Sequence, residues 1–265
     1  MLDVANLSFE VNRRALLRNT SLRARAGEIV AIVGANGAGK STLLRILSGE
    51  LAPSGGTVTL DGKPLASFAA PDLARRRGVL SQQHTLALAF AVRELVLMGR
   101  YPHFSAAPTP HDYAIVDAAL SAVDLTHLAD RAYPTLSGGE QQRAQLARVL
   151  AQVWEAPGGL LLLDEPLTGL DLQHQHHTLD VARALARRGF AVVAVLHDLN
   201  LAAQYADQAL LLRHGLPVAF GAPADVLTAA HIQVGFGMRV QLLAHPTLPV
   251  PLIVPLPHGH ATPAA

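Results

Sequence analysis

Gly34-Ala35-Asn36-Gly37-Ala38-Gly39-Lys40-Ser41, followed by Thr42, has the residue types and spacing of a phosphate-binding loop. Its glycines let the backbone approach phosphate oxygens closely and aim successive N–H groups at them. Lys40 adds a compact ammonium suited to the β- and γ-phosphates. It is one of only two lysines among 21 basic residues, so arginine is the cation used nearly everywhere else. Asp164 and Glu165 close a run of four leucines. A carboxylate there can hold Mg2+, often through water, and the adjacent Glu165 can orient or activate a water on a γ-phosphate. Ser137-Gly138-Gly139-Glu140 reads as a capped helix start that exposes backbone N–H groups. The chain thus offers two anion-binding helix starts but one nucleotide's worth of loop.

These residues need a frame. Stretch 28–33 reads as a buried strand running into the loop and 41–47 as the helix after it, whose N-terminal dipole favours anions. Residues 2–33 are predicted as strands, with alternation at Leu7, Phe9 and Val11. Residues 56–60 with Asp61-Gly62 predict a strand and hairpin turn, and 78–80 a short strand. From about 92 to 130 the pattern is helical, broken by Pro102, Pro108 and Pro110, and reads as an insertion. Strand and helix then alternate: a strand at 160–163, a helix at 173–188, a strand at 191–196 and a helix from about Leu199. Such alternation predicts a parallel sheet with helices on both faces, and ligands at its carboxyl edge. The last 20 or so residues, rich in Pro and His, are expected to fray at the end.

At 265 residues the chain can bury a large core. A net charge of +1 gives no global pull toward nucleic acid, and the absence of cysteine excludes disulfides and thiol chemistry. Mean hydropathy is +0.28, yet the longest apolar runs, 86–92 and 190–196, are too short to cross a bilayer. The start lacks the basic and apolar regions of a signal peptide. Among 13 histidines, His174 and His177 share a helix face and His258 and His260 lie in the tail. All four read as exposed polar residues.

Leu136-Ser137-Gly138-Gly139-Glu140-Gln141 resembles the signature of ATP-binding cassette (ABC) ATPases, and other motifs of that family fall in order around it. Gln82 resembles the Q-loop glutamine, Asp164-Glu165-Pro166 the Walker B end, Leu167-Thr168-Gly169-Leu170-Asp171 the D-loop, and His197 the switch histidine. The resemblance spans roughly residues 1–230. It implies an α/β ABC ATPase fold: a RecA-like parallel-sheet core, an N-terminal antiparallel β subdomain, and an inserted helical subdomain at about 85–155. The ATPase domain would cover 1–240 and a Pro/His-rich extension 241–265.

The resemblance also implies function. Two chains would close head to tail around two ATP, the phosphate loop of one facing Ser137, Gly138 and Gly139 of the other. Ser41, Gln82 and Asp164 would hold Mg2+, Glu165, His197 and Gln82 would serve hydrolysis, and Asp171 would cross the interface. The family's aromatic residue that stacks on adenine corresponds to Val11, which implies a smaller preference for ATP over GTP. Residues 94–103 and 197–201 resemble ATPases of the iron-siderophore, haem and cobalamin importers, and residues 146–154 and 172–179 resemble those of haemin importers most. This implies a permease dimer as membrane partner, a periplasmic or extracellular substrate-binding protein acting indirectly, no nucleic acid, and a place on the cytoplasmic face of the membrane. Leu86, Leu88 and Phe90 are the expected apolar patch toward the permease.

Overall fold

The computed structural model describes residues 1–81 and 90–257. The chain opens with β1 (Leu2–Val11) and β2 (Arg14–Ala24), joined by a turn at Asn12 and Arg13 with φ of 50° and 64°. Two positive φ values are those of a primed hairpin turn, which matches the twist of its strands. Val11 consequently pairs with Arg14 and Leu2 with Ala24. The register shifts between Val4 and Leu7, where Asn6 sits at φ 51°. That shift moves the inward face from Leu2 and Val4 to Leu7. The expected alternation then fades: Phe9 is half-buried and Val11 is 44% exposed.

Next come β3 (Ile29–Gly34), α1 (Lys40–Leu47), β4 (Gly55–Leu60) and β5 (Lys63–Pro64). An antiparallel sheet takes the order β2-β1-β4-β5, with Asp61 and Gly62 forming the expected turn between its last two strands. After α2 (Ala70–Arg76) and β6 (Arg77–Leu80), the chain continues through α3 (Val92–Leu97), α4 (Pro110–Ala122) and α5 (Gly138–Val153). It returns with β7 (Leu160–Asp164), α6 (Leu172–Arg187), β8 (Ala191–Val195), α7 (Leu199–Tyr205), β9 (Gln208–Arg213) and β10 (Leu216–Gly221). These strands build a second sheet of order β10-β9-β3-β8-β7-β6, parallel throughout except for β10.

Every residue of β3, β7 and β8 is buried, which is why they read as unbroken apolar runs. Parity still divides their side chains. Val30, Ile32, Leu160, Leu162, Val193 and Val195 share a core with the antiparallel sheet and α1. Ile29, Ala31, Leu161, Leu163, Val192 and Ala194 share the other core, with α5 and α6. The sheet is therefore clamped from both sides, and its carboxyl edge is held rigidly.

The helical insertion is fastened by one buried arginine. Arg100, 2% exposed, donates to Asp112 Oδ1 at 2.9 Å, to Ala151 O at 2.9 Å and to Glu155 Oε2 at 2.7 Å. Gln152 Nε2 donates to Ala74 O at 2.7 Å and Arg77 O at 3.0 Å, tying α5 to the edge strand β6. Burial raises the pKa of Asp112, but the Thr109 hydroxyl, the Thr109 backbone N–H and Arg100 together outweigh it and hold the carboxyl at about 2. A depressed carboxylate stabilises the fold above its unfolded pKa of roughly 3.9, and that contribution is lost as pH falls through the folded value. Asp112→Asn is expected to cost about 2 kcal/mol at pH 7 and to flatten the decline in stability between about pH 4 and pH 2. Urea unfolding across that range checks it, and a decline as steep as the parent's would refute the assignment.

The carboxyl end holds a strand pair that the sequence reading did not anticipate. After α8 (Pro223–Val226) and α9 (Ala229–Phe236), β11 (Val240–Ala244) pairs with β12 (Pro251–Pro255), while the end expected to fray, from 258 on, lies outside the described residues. The prolines sit at the two ends of β12, where a strand tolerates a missing N–H. Ile253 is 4% exposed and belongs to the main core. Among the described residues, no helix is long and apolar enough to cross a membrane.

Candidate functional site

The phosphate loop leaves β3 at Gly34 and enters α1 at Lys40. Gly39, the residue before the helix, has φ 100°, and a Cβ there would lie 2.9 Å from Leu16 O. Only glycine allows both the left-handed turn and this close approach of β2. A second brace comes from the β9–β10 turn, where Gly215 N–H donates to Ala38 O at 3.0 Å and Gly215 O accepts from Arg18 N–H at 2.8 Å. Lys40 Nζ donates to Gly34 O at 2.8 Å and Ala35 O at 3.1 Å. Burial lowers the pKa of this ammonium, while Glu165 and Asp164 act in the opposite direction.

Both acids lie where β7 ends. Asp164 is the last residue of the strand, and Ser41 Oγ donates to its Oδ1 at 3.2 Å. Burial raises the Asp164 pKa, opposed by that hydroxyl and reinforced by the neighbouring charge of Glu165. Glu165 follows at φ 52°, a left-handed conformation costly for a residue with a Cβ and concentrated at functional sites. β7 and β8 are sheet neighbours, with Asp164 opposite Val195, so the residues just past both strands meet. His197 Nε2 accordingly lies 2.8 Å from Glu165 Oε1.

Glu165, His197 and the loop residues Asn36–Thr42 line a cleft of about 640 Å³ together with Arg14 and Leu16. Its size suits a nucleotide. Arg14 and Leu16 were missed by sequence reading; the signal available was the hairpin turn, which puts alternate residues of β2 on the face beside the loop. Val11, the expected base contact, is not among the lining residues. A narrower cleft shares Glu165 and His197 and continues past Leu167, Thr168 and Gly169.

The remaining expected residues stand elsewhere. Ser137 caps α5: its Oγ accepts from Glu140 N–H at 3.3 Å, and Glu140 Oε2 accepts from Ser137 N–H at 2.7 Å. This reciprocal pair lowers the Glu140 pKa. Asp171 caps α6, accepting from His174 N–H at 2.9 Å, with His174 Nδ1 at 2.8 Å, and these contacts lower its pKa. Ser137, Gly138, Gly139 and Asp171 do not line the phosphate-loop cleft. Leu170 packs near Gly139, so the stretch between Glu165 and Asp171 touches the start of α5. His177 turns to Ala122 O at 3.1 Å, away from His174's partner. Gln82, Leu86, Leu88, His258 and His260 lie outside the described residues, and Phe90 is half-buried with its carbonyl bound by Tyr133 N–H.

A phosphate loop, acids at one strand's end, a histidine just past the adjacent strand and a separate capped glycine helix start are the parts of a P-loop ATPase of the cassette type. Residues 17–168 match the ABC transporter family, and the chain belongs to that family. The hemin import ATP-binding protein HmuV of Gloeobacter violaceus is 53% identical over 97% of this chain and 94% of its own length. The protein of the same name from Myxococcus xanthus is 48% identical over 99% of both. Among solved structures, a metal-chelate type ABC transporter in an inward-facing conformation matches with a TM-score of 0.82 and 30% identity, over 97% of this chain and 98% of its own. A dimeric ATP-binding cassette holding ADP and Pi after hydrolysis matches with a TM-score of 0.74 and 26% identity, over 84% of this chain and 99% of its own.

Proposed function

We propose that the chain is the ATP-hydrolysing subunit of a haem importer, and that two copies close head to tail around two ATP. The division of one nucleotide site carries the dimer reading. Phosphate loop, Glu165 and His197 line a single cleft, while the exposed helix start at Ser137 and Gly138 is not part of it. In the dimer that helix start, with Gly139, contacts the γ-phosphate held over the partner's Lys40, and Asp171 crosses the interface. The cargo rests on the relatives: proteins named for hemin import share about half of their residues with this chain along nearly the whole length.

Hydrolysis follows from the acids. The Glu165 carboxylate orients a water and takes its proton as the water oxygen bonds to the γ-phosphorus. The bond from that phosphorus to the β-γ bridging oxygen breaks, and ADP and phosphate leave. His197, beside Glu165, steadies the carboxylate and contacts the γ-phosphate. Ser41 Oγ and the Asp164 carboxylate offer hard oxygen donors side by side, a set that fits Mg2+, with Gln82 as a further donor. When bound, Mg2+ would supply charge neutralisation for the nucleotide's phosphates.

The subunit works at the cytoplasmic face of the membrane against an integral permease dimer, supplied by a periplasmic or extracellular binding protein, with no role for nucleic acid. Reconstitution with the permease in proteoliposomes tests this reading. Haemin-loaded binding protein is expected to stimulate ATP turnover several-fold, and ferric siderophore or cobalamin is not. Stimulation by either of those would reassign the cargo, and copurification with RNA or DNA in place of a membrane protein would overturn the importer role.

A further inference from the structure

The C-terminal hairpin is bolted to the helix behind His197. Asp198 caps α7, its Oδ1 accepting from Asn200 N–H at 2.7 Å and Leu201 N–H at 3.0 Å. The Asn200 side chain then reaches β12: Oδ1 accepts from Ile253 N–H at 2.8 Å, and Nδ2 donates to Ile253 O at 3.2 Å. One amide thus satisfies both backbone groups of a residue on the strand's outer edge, as a neighbouring strand would. The Ile253 side chain seals the joint, sharing a core with Leu196, Leu201, Ala202 and Ala203. Asn200 lies three residues beyond His197, whose Nε2 sits on the catalytic carboxylate.

We propose that Asn200 is a positioning residue for ATP hydrolysis, with the hairpin β11–β12 as its anchor. Strand β8 fixes His197 from before. After it, the chain enters the short helix α7, seven residues long, whose far end is held by Tyr205 through Arg183 and His176. A helix of two turns has little stability of its own, so packing must fix its orientation. The Asp198 cap sets where α7 begins, and the Asn200–Ile253 pair holds its first turn, the end next to His197, while Tyr205 holds its last. A segment some 50 residues downstream in sequence therefore holds the imidazole in register with Glu165. The Pro-rich end acquires a function in the chemistry without touching nucleotide.

The inference rests on the ATPase reading above, and the test separates the two. In the full-length chain, Asn200→Ala is expected to lower kcat about tenfold while KM for ATP stays within about twofold, since misplacing a reacting group costs rate more than binding. Asn200→Asp keeps an acceptor for Ile253 N–H at the same volume and is expected to fall between parent and Asn200→Ala. It supplies the result should the alanine variant fold poorly. The second readout is the His197 side-chain ¹⁵N resonance, identified by its loss in His197→Asn, which should shift in both Asn200 variants. A folded variant with parent-like kcat, or a lowered kcat with an unmoved His197 resonance, overturns the positioning role. A parent without ATPase activity, or one indifferent to His197→Asn, brings down the hydrolysis reading as well.

Discussion

Glu165→Gln is expected to bind ATP as the parent does and to lose turnover by ~100-fold or more, the range expected on removing a general base. The change exchanges one carboxylate oxygen for an amide nitrogen. It preserves side-chain length, the left-handed backbone at φ 52° and an oxygen to face His197 Nε2. What disappears is the proton acceptor. A ~100-fold loss corresponds to about 2.7 kcal/mol of transition-state stabilisation, well above the contribution of an ordinary surface group. Equilibrium binding of radiolabelled ATP, paired with single-turnover hydrolysis, separates the two effects. The variant should also accumulate as an ATP-bound dimer on gel filtration, because closure no longer leads to hydrolysis. Parent-like hydrolysis would be incompatible with the role of Glu165.

The second large effect is recovery of activity on mixing two inactive chains. Lys40→Ala removes the buried ammonium of the phosphate loop. Gly138→Asp adds a carboxylate at the start of α5, where a new Cβ would meet nothing within 4 Å, so the fold should be kept. Each variant alone is expected to be nearly inactive. In a two-fold dimer each phosphate loop meets the other chain's helix start. A mixed dimer then places both lesions in one site and leaves the other intact. Equal mixing should restore roughly a quarter of parent activity, since half the pairs are mixed and each keeps one site of two. Differently tagged chains confirm that pairs have formed. No recovery among proven mixed pairs would mean that the nucleotide site is not shared between chains.

Local chemistry was the legible part of the site. The glycines and Lys40 of the phosphate loop, the Ser137–Glu140 capping box and the acids after β7 each depend on neighbours within a few residues. Their local geometry could be read from type and spacing. Strands β3, β7 and β8 were legible too, because burial on both faces demands unbroken apolar runs. Strand β12 was hidden by its prolines, which a strand admits at its ends. Arg14 and Leu16 were hidden because the face a strand presents depends on its register, and a bulge near Asn6 changes that register upstream.

What the sequence by itself determined is the local frame of the proposed chemistry: a glycine-rich loop with Lys40 and a pair of acids at a strand's end. The ordered motifs also determined the ABC family, because each rests on short-range geometry that its own residues enforce. Tertiary structure alone decided which of these groups share a cleft. β7 and β8 became neighbours through sheet pairing, and this brought Glu165 to His197 across a gap of 32 residues. It also left the Ser137 helix start outside the phosphate-loop cleft. The Asn200 clamp on Ile253 belongs to the same class of outcome. Contacts between distant segments are set by how buried faces pack together, and no local spacing encodes them.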